Sequence, residues 1–247
     1  MVEAIAKEPG ALRRFHEKFV VEERTVRPSA RRNLYIIAAS LGVIGLSAFL
    51  LILDSVRESD GLSVIDIPIQ SWLRDMESPG LTLFMTIIAN VFGPIAMPIV
   101  VLVTTVWWGF AAKHAWRPFL LAGGMIVGVA IVQTLAPIIG RDRPPISLML
   151  LDADYTPSFP SGHVMGATDF LLITTFLVFS RRRYPITTVI AFLVAIVLVA
   201  ATAVCRVYLG YHWPTDALAS ISLSLIVLGG VIAIDTWRTV RVGTPDP

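Results

Sequence analysis

Between Leu34 and Ile234 the chain is a succession of apolar runs separated by short polar breaks. A helix needs about 20 apolar residues to cross the hydrocarbon core of a bilayer. Leu34 to Leu53 is the first such run, closed by Asp54. Ser78 to Ala112 carries no charged residue; its helix is expected to start near Leu81 and to kink at Pro94 and Pro98. Pro118 to Gly140, Val164 to Ser180, Pro185 to Val204 and Pro214 to Ile234 follow. The pattern predicts an all-α fold: a bundle of six transmembrane helices over residues 34–236, with tails at 1–33 and 237–247. Residues 1–33 are long and charged and lack a short apolar core, so they are expected to stay as a basic cytoplasmic tail. Between the first two spans, Ile65, Ile67, Ile69, Trp72 and Leu73 alternate with Asp66, Arg74, Asp75 and Glu77. That is the pattern of an amphipathic segment lying in the membrane interface.

Composition agrees. Of 247 residues, 55% are hydrophobic and 15% charged, against about 25% charged in soluble domains. A net charge of +2 gives no global pull toward nucleic acid, and none is expected as a partner. The single cysteine, Cys205, excludes an intramolecular disulfide and a cysteine zinc cluster.

The lysines and arginines fix an orientation. Lys7, Arg13, Arg14, Lys18, Arg24, Arg27, Arg31, Arg32, Lys113, Arg117, Arg181, Arg182, Arg183, Arg238 and Arg241 share one side of the predicted topology. Arg57, Arg74, Arg141, Arg143 and Arg206 take the other. By the positive-inside rule both termini lie in the cytoplasm of a plasma-membrane protein, and the first, third and fifth loops face outward.

Chemistry-bearing residues gather on the outward side. The third loop opens with Gly140-Arg141-Asp142-Arg143-Pro144-Pro145 and closes with Ser158-Phe159-Pro160-Ser161-Gly162-His163. The fifth runs from Cys205-Arg206 through Gly210-Tyr211-His212-Trp213-Pro214-Thr215-Asp216. Arg141, Arg143 and Arg206 offer forked donors suited to phosphate oxygens. Ser161 and Gly162 lead into a helix whose N-terminus is a ready anion site. Asp216 lies four residues after His212, close enough to hold one ring nitrogen and leave the other free to attack. His163 remains as proton donor to a leaving group. The arrangement suits phosphoryl transfer without a metal or other cofactor. Asp142, Asp152 and Asp154 are present outward, but no His or Cys cluster with ligand spacing accompanies them.

At these residues the chain resembles the type 2 phosphatidic acid phosphatase superfamily. Its pattern is a lysine, six residues and Arg-Pro; then Pro-Ser-Gly-His; then Ser-Arg, five residues, His, three residues, Asp. Arg143-Pro144, the whole of Pro160 to His163, and Arg206, His212 and Asp216 match. Two positions depart: Ala136 stands where the lysine would be, and Cys205 where the serine would be. The resemblance implies a phosphorylated membrane lipid as substrate and a phosphohistidine on His212. Polyprenyl diphosphate is the first expectation, then phosphatidylglycerophosphate or phosphatidic acid. A lipid phosphotransferase, and a binding or transport protein disabled by the lost lysine, stay open. Simpler roles also stay open: Arg141 and Arg143 as interface anchors, Asp216 as a helix cap, and Tyr208, Tyr211 and Trp213 as an interface belt or substrate stack. Asp169, inside the fourth span, either positions a group near the site or is an interior residue neutralised or paired locally.

Overall fold

The computed structural model describes residues 24–112, 114–180 and 185–243. Eight α-helices follow one another: α1 Pro28–Glu58, α2 Asp66–Arg74, α3 Pro79–Val91, α4 Ala96–Ala111, α5 Trp116–Ile139, α6 Gly162–Phe179, α7 Pro185–Tyr208 and α8 Pro214–Thr239. Two three-residue strands, β1 Arg24–Val26 and β2 Val240–Val242, pair in parallel beside the ends of α1 and α8. Five of the helices are long and apolar enough to span a membrane. The pair α3 and α4, bent by 49° at their break, makes a sixth if taken as one span. The break falls at Phe92-Gly93-Pro94-Ile95, where proline removes a backbone donor and clashes with the preceding turn.

Helix ends differ from the apolar limits. α1 begins at Pro28, in the first-turn position that proline favours, so Arg31 and Arg32 lie within the helix. Long basic side chains reach the interface from inside a helix end, so the first charge outside an apolar run does not mark the last helical residue. The basic residues Lys7, Arg13, Arg14, Lys18, Lys113 and Arg181 to Arg183 lie outside the described residues. The segment between the first two spans contains a 3-10 turn at Gly61–Ile65 and then α2. In α2, Ile67 and Trp72 are largely exposed while Asp66, Gln70 and Leu73 are buried. An apolar exposed side with a carboxylate beneath it is the reverse of a soluble surface helix.

α8 is the centre of the bundle, with α1 packed along much of its length. Two glycines permit that approach. A Cβ on Gly45 would lie 2.5 Å from the Ser222 carbonyl oxygen, and one on Gly229 would lie 2.6 Å from that of Ala38. Where lipid tails are as apolar as the side chains, such close backbone contact supplies the packing energy. At one end of the bundle Arg117 donates to the Leu177 carbonyl and pairs with Asp235 at 3.3 Å, and Arg24 donates to the Ser180 carbonyl. The other end carries α2 and the loops 140–161 and 209–213, where the candidate site lies.

The glycine contact is open to a direct test. Gly229→Ala should destabilise the detergent-solubilised protein by about 1–3 kcal/mol, read as a lower Tm. Gly230→Ala, whose added Cβ meets nothing within 4 Å, should leave Tm unchanged or raise it. An unchanged Tm for Gly229→Ala would mean that α1 and α8 do not pack at this distance.

Candidate active site

Backbone geometry brings the two motif-bearing loops together. Gly140, at φ 62°, ends α5 in the left-handed region and turns the chain, its N–H donating to the Ala136 carbonyl. Gly210, at φ 78°, is needed twice over, because a Cβ there would also fall 2.1 Å from the Leu148 carbonyl oxygen. The Leu150 N–H donates to the Leu209 carbonyl at 3.1 Å. Phe159, fully buried, meets the Phe49 ring of α1 at 6.0 Å. The aromatic residues of the fifth loop join these segments. The Tyr211 hydroxyl donates to the Asp152 carbonyl at 2.6 Å, and Trp213 Nε1 donates to that of Asp142 at 3.1 Å. The Tyr208 hydroxyl contacts Thr82 Oγ1 at 2.9 Å on α3. They act as struts between loops, a role outside the two foreseen.

His212 is buried on the short turn before α8. Its Nδ1 lies 2.7 Å from the Ser158 carbonyl oxygen, an acceptor only, so Nδ1 carries the proton and donates it there. Nε2 then holds a lone pair, 3.4 Å from Arg143 Nη1. Burial pushes the imidazole well below its ordinary value of 6.5, and Arg206 and Arg143 push it further; the Ser158 contact opposes them. These effects favour the neutral ring, with Nε2 unprotonated. Asp216, expected to orient the ring, lies 3.5 Å from Nδ1, farther than Ser158. Its oxygens are taken up by the Trp213 N–H at 2.8 Å and Arg141 Nη1 at 2.5 Å. A carboxylate in the first turn of a helix satisfies the free N–H groups there first.

The three arginines divide. Arg143 is committed to protein: Nε and Nη2 donate to the carbonyl and hydroxyl of Thr156, and Nη1 donates to the Tyr211 carbonyl at 2.6 Å. Nη2 also pairs with Asp154 at 2.9 Å. Burial lowers its pKa, although Asp154 and Asp216 counter this. Burial tends to raise Asp154, but the Thr156 N–H and hydroxyl, with Arg143, hold it below the ordinary carboxylate range. Arg141, expected with the other two on the phosphate, is instead held by carboxylates. Nη2 pairs with Asp66 at 2.6 Å, and Nη1 reaches Asp216 and the Thr215 hydroxyl. Two buried acids nearby outbid a solvent-facing position for the only forked donor between them. Arg206, buried at the end of α7, stacks over the Tyr211 ring at 4.5 Å, and its Nε has no hydrogen-bond partner. It is the motif arginine with an idle donor.

His163, half-buried in the first turn of α6, lies within electrostatic reach of His212, Arg143 and Arg206. Gly93, at the break between α3 and α4, faces it: a Cβ there would sit 3.5 Å from His163 Nε2. Ser161 caps α6, accepting from the Val164 N–H, and its hydroxyl oxygen is thereby spent inside the protein. Gly162 is exposed at the same helix start. Cys205 donates its S–H to the Met85 carbonyl at 3.0 Å, as a packed residue. Asp169 is buried deeper in α6, beside the Ser224 hydroxyl, where the absent Cβ of Gly128 leaves room for its carboxylate.

Motif reading missed Asp66, Asp154, Thr156 and Ser158. An acid inside an amphipathic segment, or an acid two residues before a threonine, carries no local mark of a distant arginine. Ser158 acts through its carbonyl, which no side-chain pattern can show.

Residues 117–239 match the PAP2 superfamily, and the chain belongs to that family. It is 36% identical over 90 residues to phosphatidylglycerophosphatase B of Escherichia coli (strain K12), a match covering 36% of this chain and 31% of that protein. Thus the chain spans under a third of that relative's length. It is 26% identical over 190 residues to phosphatidylglycerophosphatase B of Bacillus subtilis (strain 168), covering 74% of this chain and 90% of that one. The crystal structure of a transmembrane PAP2 type phosphatidylglycerolphosphate phosphatase from Bacillus subtilis superposes with a TM-score of 0.68 at 26% identity, over 78% of this chain and 96% of that chain. Aquifex aeolicus LpxE shares the fold, with a TM-score of 0.52 at 19% identity over 68% of this chain and 94% of that one.

The ring state of His212 is measurable. Nitrogen NMR of histidine-labelled protein should find one ring in the Nδ1–H form that stays neutral as pH falls through 6.5, because a depressed pKa delays protonation to lower pH. If all the rings titrate near 6.5, the buried, arginine-flanked geometry is wrong.

Proposed function

We propose that this chain is a membrane lipid phosphatase acting on a phosphate or diphosphate monoester at headgroup level. The observation that carries the reading is His212: buried, its Nδ1 proton given to Ser158 at 2.7 Å, its Nε2 directed beside Arg143. Nε2 attacks phosphorus, and the bond from phosphorus to the lipid oxygen breaks. His163 supplies a proton to that oxygen, and the lipid leaves as an alcohol or monophosphate. Water then attacks the phosphohistidine, returns a proton to His163, and phosphate is released. Negative charge spread over the phosphoryl oxygens is met by Arg206 Nε and the N-terminus of α6, with Arg143 holding the nucleophile's loop. No metal takes part in these steps.

The names of the relatives favour phosphatidylglycerophosphate as the first substrate to try, ahead of the polyprenyl diphosphate expected from sequence. The distribution of lysines and arginines favours an extracytoplasmic site, reached by lipid from the outer leaflet. A phosphotransferase would use the same residues and differ only in the acceptor.

Purified protein should release phosphate from phosphatidylglycerophosphate in detergent with a chelator present. His212→Ala and His163→Ala should each lose at least about 100-fold in kcat. Acid-labile, base-stable phosphate should accumulate on His163→Ala and never on His212→Ala. The acid limb of kcat/KM should lie below pH 6.5, because His212 is neutral and competent until its lowered pKa is passed. Undiminished turnover by His212→Ala would end the reading. Absence of turnover by the wild type on all three lipid classes would favour a binding protein disabled at Ala136.

A further inference from the structure

We infer that Asp66, on the first turn of α2, is a positioning residue for His212 and acts on it through Arg141 and the start of α8. This deepens the phosphatase reading and rests on it.

The geometry is specific. Asp66 Oδ2 accepts from Arg141 Nη2 at 2.6 Å and from the Thr215 hydroxyl at 2.7 Å, while Oδ1 accepts from the Thr215 backbone N–H at 2.9 Å. Thr215 is the second residue of α8, so Asp66 caps that helix from another part of the chain. Arg141 closes the circuit, donating to Asp216 at 2.5 Å and to the Thr215 hydroxyl at 2.8 Å. Its plane also lies over the Trp213 ring at 5.8 Å. Every residue from Trp213 to Asp216 except Pro214 is therefore held by this cluster, and His212 is the next residue back. Asp66, Thr215 and Asp216 are buried.

Two consequences follow. Asp66 fixes where the turn bearing His212 begins, and it holds half of a guanidinium that would otherwise be free to swing toward an anion. The same α2 exposes Ile67 and Trp72 on its other side. A helix with an exposed apolar side is thus bonded directly to the helix whose preceding turn carries His212.

The test uses full-length protein, with turnover of phosphatidylglycerophosphate in mixed micelles. Asp66→Asn keeps the size and removes the charge. It should lower kcat about tenfold or more with KM within about threefold, since misplacing a nucleophile by a fraction of an ångström costs rate before binding. Arg141→Gln should do the same, and the double variant should be no slower than the worse single one, because both act through one contact. A role in folding alone would instead multiply the two losses. Thr215→Val leaves both ion pairs and removes only the bridging hydroxyl, so it serves if Asp66→Asn fails to fold, and it should also lower kcat. The His212 ring resonances should shift in folded Asp66→Asn protein, a readout that stands whatever the substrate. Multiplying losses, a raised KM at full kcat, or unshifted resonances would overturn the inference. Loss of the His212→Ala effect would overturn only the phosphatase reading.

Discussion

A charge buried among membrane helices must bring its partners with it, and at the site-bearing end of this bundle that requirement is met by Arg141 between Asp66 and Asp216. Each ion alone would cost several kcal/mol to desolvate, and removing one partner from such a cluster typically costs about 3–5 kcal/mol. The three residues come from segments far apart in the chain: the helix after the first span, the loop after α5, and the first turn of α8. Their pairing holds α2 against the bundle and sets where α8 begins. It also holds the residues that follow His212, so the placement of that ring is tied to the satisfaction of buried charge.

The same logic separates the remaining arginines. Arg143 spends its donors on Thr156, Tyr211 and Asp154, so it works as a rivet between loops and touches the space around His212 with one nitrogen at 3.4 Å. Arg206 is buried without an acidic partner in ion-pair contact among the described residues, and its charge rests partly on the Tyr211 ring. A guanidinium in that state gains more from a bound anion than one already saturated. On the proposed function the phosphate oxygens lie nearest Arg206, and the spacing that places Arg206 six residues before His212 puts cation and imidazole on one compact turn, with the His212 N–H donating to the Arg206 carbonyl.

Legibility in the sequence followed the range of the interactions. Spans were readable because twenty apolar residues in a row have few other uses, and the motif around His163 and His212 because its spacings are short. Helix limits were less so: α1 starts six residues before Leu34, since Arg31 and Arg32 are compatible with a helix end in the interface. The second span was expected as one kinked helix and is two helices bent by 49°. The partners of the site residues were hidden for a different reason. Asp66 to Arg141, Asp154 to Arg143 and Ser158 to His212 join residues whose separation carries no period. Asp216, read as the orienting partner from the i, i+4 spacing, does lie 3.5 Å from Nδ1, but the Ser158 carbonyl, which no spacing reveals, lies closer at 2.7 Å.

The missing lysine at Ala136 can be weighed against this arrangement. The three guanidiniums of Arg141, Arg143 and Arg206 are matched in number by the carboxylates of Asp66, Asp154 and Asp216, which pair with the first two. Their formal charges cancel, so attraction for a lipid phosphate cannot come from net charge at these six side chains. It has to come from placement. The carboxylates are bound to Arg141 and Arg143, while Arg206 Nε has no hydrogen-bond partner. On the proposed function, phosphate binding therefore depends on the buried pairs that hold each carboxylate.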